Sequence, residues 1–269
     1  MASRAPGVSD NATNDIIIDL HSGQKLTRQQ LLTRLTAAPR LIVGEKHDNK
    51  RHHEIESWLL VSLAQQRPQG SVLLEMLTAG QQPAVQGVKA ALKTSSELSE
   101  AEIQQRLSWQ KGWPWSMYGD VVMPALSAPY PLLAANINRD RVMALYKKPT
   151  FPKGRLSTAP EVQQAISAII VDMHGGKIPS AQLQGMLAIQ QQRDRYMAEQ
   201  LLAAPTPALL IAGGYHASKQ IGVPLHIKDL QPDTSLMVLM LAEDGSAITA
   251  EQADYVWYVT PQAAIQAGK

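Results

Sequence analysis

The chain has 269 residues, 45% of them hydrophobic, and a formal net charge of +2 at neutral pH. That length suggests one large domain or one domain plus a smaller companion; the small charge gives no case for a nucleic-acid partner, and no segment reaches the ~18 uninterrupted apolar residues of a membrane span. Cysteine is absent, which excludes disulfides, thiolate metal sites and a cysteine nucleophile.

The opening MASRAPGVSDNATN is polar and rich in small residues, so residues 1–14 read as a flexible tether ahead of a single α/β domain over 15–269. It holds no apolar stretch to serve as a signal peptide, so an export signal and any lipid-anchor cysteine would lie ahead of it. DIIIDL near 15 then reads as a strand and 27–37 as a helix; RLIVGE near 41 is a strand, 49–66 a helix, and SVLLEM near 71 a strand. Residues 80–117 are polar and helical, and SSELSEAEIQQRL carries a serine cap followed by acidic first-turn residues. A helix at 119–128 leads into the strand PLLAAN near 131. Residues 158–203 give two more helices around MHGGKIP, the second over 180–203. PALLIAGG near 207, SLMVLMLAE and DYVWYV close the series of strands, ahead of a weak terminal helix or disorder in PQAAIQAGK.

Near-continuous hydrophobicity marks parallel strands covered on both faces. Strands alternating with helices argue for an α/β fold, a parallel β-sheet flanked by helices. The two helical segments at about 80–117 and 158–203 follow strands, and together they predict a smaller all-helical subdomain over one sheet edge.

In open parallel sheets, ligands sit outside the carboxyl ends of the strands. RLIVGE ends at Glu45 with His47 two residues on, SVLLEM ends at Glu75, PLLAAN ends at Asn136 just before Arg139, and PALLIAGG runs into Tyr215 and His216. These strands are expected to be parallel neighbours that bring His47, Glu75, Arg139 and His216 into one crevice. The spacing Gly-x-x-His occurs twice, as GEKH (Gly44 to His47) and GGYH (Gly213 to His216), where glycine would let the chain turn sharply and aim each imidazole inward. The plain alternative is that each histidine caps a helix or bonds a loop carbonyl. Glu75 ends an apolar run and needs a partner when buried, either as an acid, base or metal ligand or in a salt bridge to Arg139 or Lys46. A divalent metal takes imidazoles plus a carboxylate, so His47, His53, Glu75 and His216 are a conceivable set, although no compact metal motif is present.

WQKGWPWSMYG gathers Trp109, Trp113, Trp115 and Tyr118, either as a flat apolar wall with a phenol tip or as a packed cap. Asp194 shares a helix face with Met197, while Tyr196 points elsewhere. Two basic clusters, Lys46 to Arg51 and KKPTFPKGR from Lys147 to Arg155, are anion sites or solvated faces.

Taken in order, GEKHDNKRHH, LLEM, GWPWSMYG, LAANINR, MHGGKIP, QQQRDRYMA and LIAGGYHASKQIGVP resemble the segments of the ChaN family of haem-binding lipoproteins. That family is similar in its paired Gly-x-x-His motifs to Tiki proteases and erythromycin-esterase-like proteins. The resemblance runs from about residue 39 to 228. It implies a haem-binding protein of a bacterial iron-uptake system, exported and held at the outer membrane by a lipid anchor, with no catalysis of its own. It further implies ferric haem bound non-covalently between two subunits, a tyrosine of one subunit on each iron, and a histidine and a lysine of the other on the propionates. A haem receptor or periplasmic haem-transport protein is the implied partner. Tyr215 departs from the resemblance, since the family more often has a small residue there.

Phenolate is a hard oxygen ligand suited to ferric iron, propionates need cationic or donor groups, and a porphyrin face needs an aromatic wall. Tyr118 beside the tryptophans best combines wall and phenol and is the expected iron ligand, with Tyr196 and Tyr215 behind it. His174, Lys147 and Lys148 are the candidates for the propionates. The polar cleft comprises Glu45, His47, His53, Glu75, Arg139, Asp194 and His216. A haem held by one surface tyrosine leaves a face open, so haem is expected to promote a homodimer. The competing reading is a hydrolase, metal-dependent or metal-free, that uses His47, Glu75 and His216.

Overall fold

The computed structural model describes residues 14–94 and 97–261. The expected tether, apart from its last residue, and the terminal residues 262–269 lie outside the described residues. The first half of the chain gives β1 (Ile16–Asp19), β2 (Lys25–Leu26), α1 (Arg28–Leu35), β3 (Arg40–Glu45), α2 (Lys50–Gln66), β4 (Ser71–Thr78), α3 (Gln82–Lys93), α4 (Glu100–Leu107) and α5 (Trp115–Ser127). The second half gives β5 (Leu132–Asn136), α6 (Arg139–Lys147), α7 (Pro160–Met173), α8 (Ser180–Ala203), β6 (Ala208–Gly213), α9 (Gly214–Ala217), α10 (Val223–Leu230), β7 (Met237–Glu243) and β8 (Tyr255–Val259).

All eight strands share one sheet in the order β2-β1-β8-β7-β3-β6-β4-β5. From β8 to β5 every pairing is parallel, whereas β1 runs antiparallel to both β8 and β2. The sheet is therefore mixed rather than wholly parallel. The short link from β1 to β2 explains part of the difference, because parallel neighbours need a crossover of a dozen residues or more.

Alternation along the central strands divides the interior. Leu41 and Val43 of β3, Leu74 of β4 and Ile211 of β6 face one core with Ile55 and Leu59 of α2 and Val121 and Val122 of α5. Ile42, Leu73 and Leu210 face the opposite core with Met197 and Leu201 of α8 and Ile227 of α10. Both faces are covered, which is why these strands read as unbroken apolar runs. Local caps set the helix starts. Thr27 and Gln30 exchange bonds in a capping box at α1, Asn49 caps α2, and Ser99 with Glu102 forms a second box at α4.

The smaller all-helical subdomain is built by α7 and α8, with Val162, Ile166, Ile170 and Leu187 joined by Ile221 in a core of its own. Helices α3 and α4 do not join it. Their buried Val85, Val88, Ile103 and Leu107 belong to the main core beside α5. The two segments expected to form one subdomain thus stand on different cores, because their apolar stripes meet different neighbours. Helix α6 is an element the sequence pattern did not indicate, and α5 starts four residues before the expected 119. No helix among the described residues is long and apolar enough to cross a membrane.

Candidate functional site

Strands β3, β6, β4 and β5 are consecutive parallel neighbours, so their carboxyl ends form one rim as the strand-end rule expects. β4 pairs with β5 regularly to Leu74, shifts register, and pairs again at Thr78. Glu75 lies in that irregularity, the kind of local kink that re-aims a side chain at a site. Its carboxylate turns toward β6, where Oε2 accepts the Gly213 N–H at 2.7 Å. Asn136 fixes the same point from the other side by donating its amide to the Glu75 carbonyl at 3.0 Å.

From Glu75 a chain of acids and imidazoles runs in both directions. Its Oε1 lies 3.3 Å from Nε2 of His216, whose Nδ1 is 2.6 Å from Asp194 Oδ1 on α8. Its Oε2 lies 3.9 Å from Nε2 of His47, whose Nδ1 is 2.5 Å from Glu45 Oε1. The two Gly-x-x-His motifs serve this approach rather than a left-handed turn. A Cβ on Gly213 would lie 2.9 Å from His47 Nε2, and one on Gly44 would lie 2.7 Å from Ala217 Cβ and Met240 Sδ. Glycine is needed because two strand ends and two imidazoles crowd together. The first turn of α9 then sits directly over β3.

The electrostatics follow from the pairing. Burial disfavours a charge on His216, but the carboxylates of Glu75 and Asp194 outweigh it and hold the imidazole up to about 10. Burial would raise Glu75, yet the charge and bond of His216, then His47, bring it down to about 2. Burial dominates at Asp194 and pushes it up to about 6 despite His216. His47 is likewise raised: burial opposes its charge, while the bonded Glu45 and the nearby Glu75 prevail. His216 is therefore an imidazolium ion at neutral pH, and His47 is biased toward the same form. An imidazolium donates two N–H bonds and has no lone pair with which to take a proton. His47, with 41% of its side chain exposed, is the member that can offer a donor to a ligand.

The expected site residues divide. His47, Glu75 and His216 come together, joined by Glu45 and Asp194. Arg139 stands exposed at the start of α6 and makes no ion pair with Glu75, and Lys46 pairs with Glu243 and Asp48 instead. Tyr118, expected as the iron ligand, is fully buried on α5, and its phenol donates to Glu45 Oε1 at 2.7 Å. Burial, then the Glu45 charge, drives its pKa upward, so the phenolate that iron needs is disfavoured and no face is open to a porphyrin. Tyr196 is half-buried against Ile137, Leu145 and Ile189. Tyr215 is 52% exposed on the turn that starts α9. Of the three tryptophans, Trp113 meets the site, edge-on to His47 at 4.7 Å and to Tyr118 at 5.5 Å, whereas Trp109 and Trp115 meet each other edge to face at 5.2 Å.

Lys147 and Lys148 are exposed at the end of α6, and His174 is exposed at the end of α7 with Nδ1 bonded to the Ile170 carbonyl at 2.7 Å. The second basic cluster splits here: Lys153 and Arg155 line a separate cavity of about 350 Å³ with Arg195, Lys228 and Asp229. His53 faces away from Glu75 toward Glu45 and Glu56. Glu56 was missed by sequence reasoning, although the signal was there: an acid on the same helix face as Leu59, Leu60 and Leu63.

Residues 31–227 match the model of a family described as haem-binding uptake, Tiki superfamily, ChaN. No curated protein sequence matches the chain. Among solved structures, the chain is similar to ChaN of Campylobacter jejuni, in a structure of cofacial haem binding, with 29% identity and a TM-score of 0.84 over 92% of this chain and 97% of that one. It also matches an erythromycin esterase in its open conformation (14% identity, TM-score 0.48, covering 91% of this chain and 82% of the other). A MARTX toxin effector domain from Vibrio vulnificus matches at 16% identity and a TM-score of 0.48, over 87% of this chain and 39% of that one.

Proposed function

The chain belongs to the ChaN family of haem-binding uptake proteins in the Tiki superfamily, and from that premise we propose that it binds ferric haem non-covalently, between two copies of itself, in a bacterial haem- and iron-uptake system. The observation that carries this reading is its likeness to the cofacial haem-binding ChaN over 97% of that chain at a TM-score of 0.84. The iron ligand in this proposal is Tyr215, a residue 52% exposed at the strand-end rim, instead of the enclosed Tyr118. A phenolate is the hard oxygen donor that ferric iron favours. Lys147, Lys148 and His174 are exposed and supply the charges and donors that propionates need. One tyrosine holds one porphyrin face, so a second copy covers the other and haem drives dimerisation. Export with a lipid anchor, and transfer of haem to or from a receptor or periplasmic carrier, complete the proposal.

The alternative is a hydrolase built on His47, Glu75 and His216, and the acid–imidazole chain at the rim favours it. General-base catalysis, however, asks for an unprotonated imidazole near neutrality, and the carboxylates hold His216 as a cation and bias His47 the same way. The geometry therefore suits a donor to an anion better than an acceptor of a proton.

The test is titration with ferric haem, followed by visible spectrum and by mass from light scattering. The expected result is a high-spin spectrum with a phenolate charge-transfer band and a dimer that forms with haem. Tyr215→Phe should remove the band, and Tyr118→Phe should keep it. A low-spin bis-histidine spectrum, or no binding by folded protein, would overturn the proposal.

A further inference from the structure

Behind the rim, on the α2 side of β3, lies a second cluster that haem binding does not use. Glu45 faces both ways. Its Oε1 serves Tyr118 and His47, and its Oε2 lies 3.3 Å from Nδ1 of His53. Glu56, one helical turn beyond His53, brings Oε2 to 3.4 Å from the same Nδ1. One ligand atom from each of the three residues lies within 4.8 Å of the others. The residues are 4%, 2% and 0% exposed, in the order Glu45, His53, Glu56.

No well-aligned hydrogen bond reaches Glu45 Oε2, His53 Nδ1 or either oxygen of Glu56, whose near neighbours are one another. The tautomer of His53 follows from its other nitrogen. Nε2 lies 3.0 Å from the His47 carbonyl, which can only accept, so Nε2 carries a proton and Nδ1 is the ring atom that faces the acids. That nitrogen and two carboxyl groups converge on one point, an arrangement completed by a shared proton or by a cation.

We propose that Glu45, His53 and Glu56 form a buried site for one first-row divalent cation, of the zinc or manganese class. One imidazole and two carboxylates are a donor set that such ions accept. Two ligands at about 2.1 Å from a tetrahedral ion stand roughly 3.4 Å apart, which is the spacing seen here between His53 Nδ1 and each carboxylate. The outer contacts also fit a metal site. A ligating histidine usually fixes its ring by donating the other N–H to a carbonyl, and a ligating carboxylate is itself held by a donor. His53 does the first through His47, and Glu45 does the second through Tyr118.

The experiment uses the full chain, stripped with a chelator and dialysed against zinc or manganese, with metal counted by elemental analysis after gel filtration. Cobalt, whose visible absorption reports its ligands, serves as a spectroscopic probe. The expected result is about one ion per chain. Glu56→Gln, which keeps the shape of the side chain, should weaken binding roughly tenfold or more. His216→Gln, which alters the rim alone, should leave it intact. Folded wild-type protein that retains none of these ions would overturn the proposal, as would loss of binding in His216→Gln with retention in Glu56→Gln. Should Glu56→Gln fail to fold, His53→Gln takes its place, and undiminished binding in that folded variant refutes the site. Haem titration of the same samples is independent, so failure here leaves the haem reading standing.

Discussion

Glu75→Gln isolates the centre of the rim network. Gln keeps an oxygen for the Gly213 N–H, but its amide then sets donor against donor at His216 Nε2, 3.3 Å away in the wild type. Breaking a buried ion pair by removing one partner costs ~3–5 kcal/mol. The fall of the Glu75 pKa from 4.5 to about 2 corresponds to roughly 3 kcal/mol on the same scale. An unfolding entropy of about 2.1 cal/mol/K per residue, taken over 269 residues, gives roughly 0.6 kcal/mol/K, so a loss of ~3 kcal/mol lowers Tm by about 5 °C. The pH dependence has a definite sign. Glu75, depressed in the folded state, contributes above pH 4.5 and loses its contribution as pH falls through about 2. His216, raised in the folded state, contributes fully below pH 6.5 and loses its contribution as pH rises through about 10. The gap in Tm between wild type and variant should therefore be widest between about pH 4.5 and 6.5 and shrink toward pH 10. Calorimetry at pH 5.5 and pH 9.5 measures it. Equal Tm at pH 5.5, or a gap that widens at the alkaline end, would refute the ion-pair account.

Gly44→Ala places a Cβ 2.7 Å from both Ala217 Cβ and Met240 Sδ. Overpacking of that kind costs ~1–3 kcal/mol, and calorimetry should show a lower Tm; an unchanged Tm would mean that α9 and β7 yield freely. Replacing Lys147 and Lys148 with Ala should weaken ferric-haem binding at low ionic strength, with the difference shrinking as salt is added. Equal affinity at every salt concentration would remove both lysines from the propionate site.

Much of the rim was legible in the sequence because its signals are local. Apolar runs buried on both faces announce parallel strands, and the strand-end rule then brings His47, Glu75 and His216 together without knowledge of any contact. What stayed hidden depends on side-chain direction. Tyr118 follows three tryptophans and looks like a surface phenol, but it precedes Val121, Val122 and Ala125 by three, four and seven positions, a spacing that puts it on the buried stripe of α5. Helical periodicity was a better guide there than aromatic density. The register shift that turns Glu75 into the site has no single-residue signature, and neither has the tertiary packing that separates α3 and α4 from α7.

The acids at the strand ends raise a question that packing alone leaves open. Glu45, Glu56, Glu75 and Asp194 are buried together with His53 and His216 under a half-exposed His47. Replacing buried ion networks with apolar groups is often neutral or stabilising, so fold stability by itself gives no reason to place so many ionisable groups in one strip. Their arrangement fits two duties that meet at Glu45. Toward the rim, its Oε1 bonds His47, the half-exposed imidazole that can meet a ligand; toward α2, its Oε2 faces His53 in the proposed cation site. β3, fixed between β6 and β7, holds both oxygens of this one buried carboxylate in register.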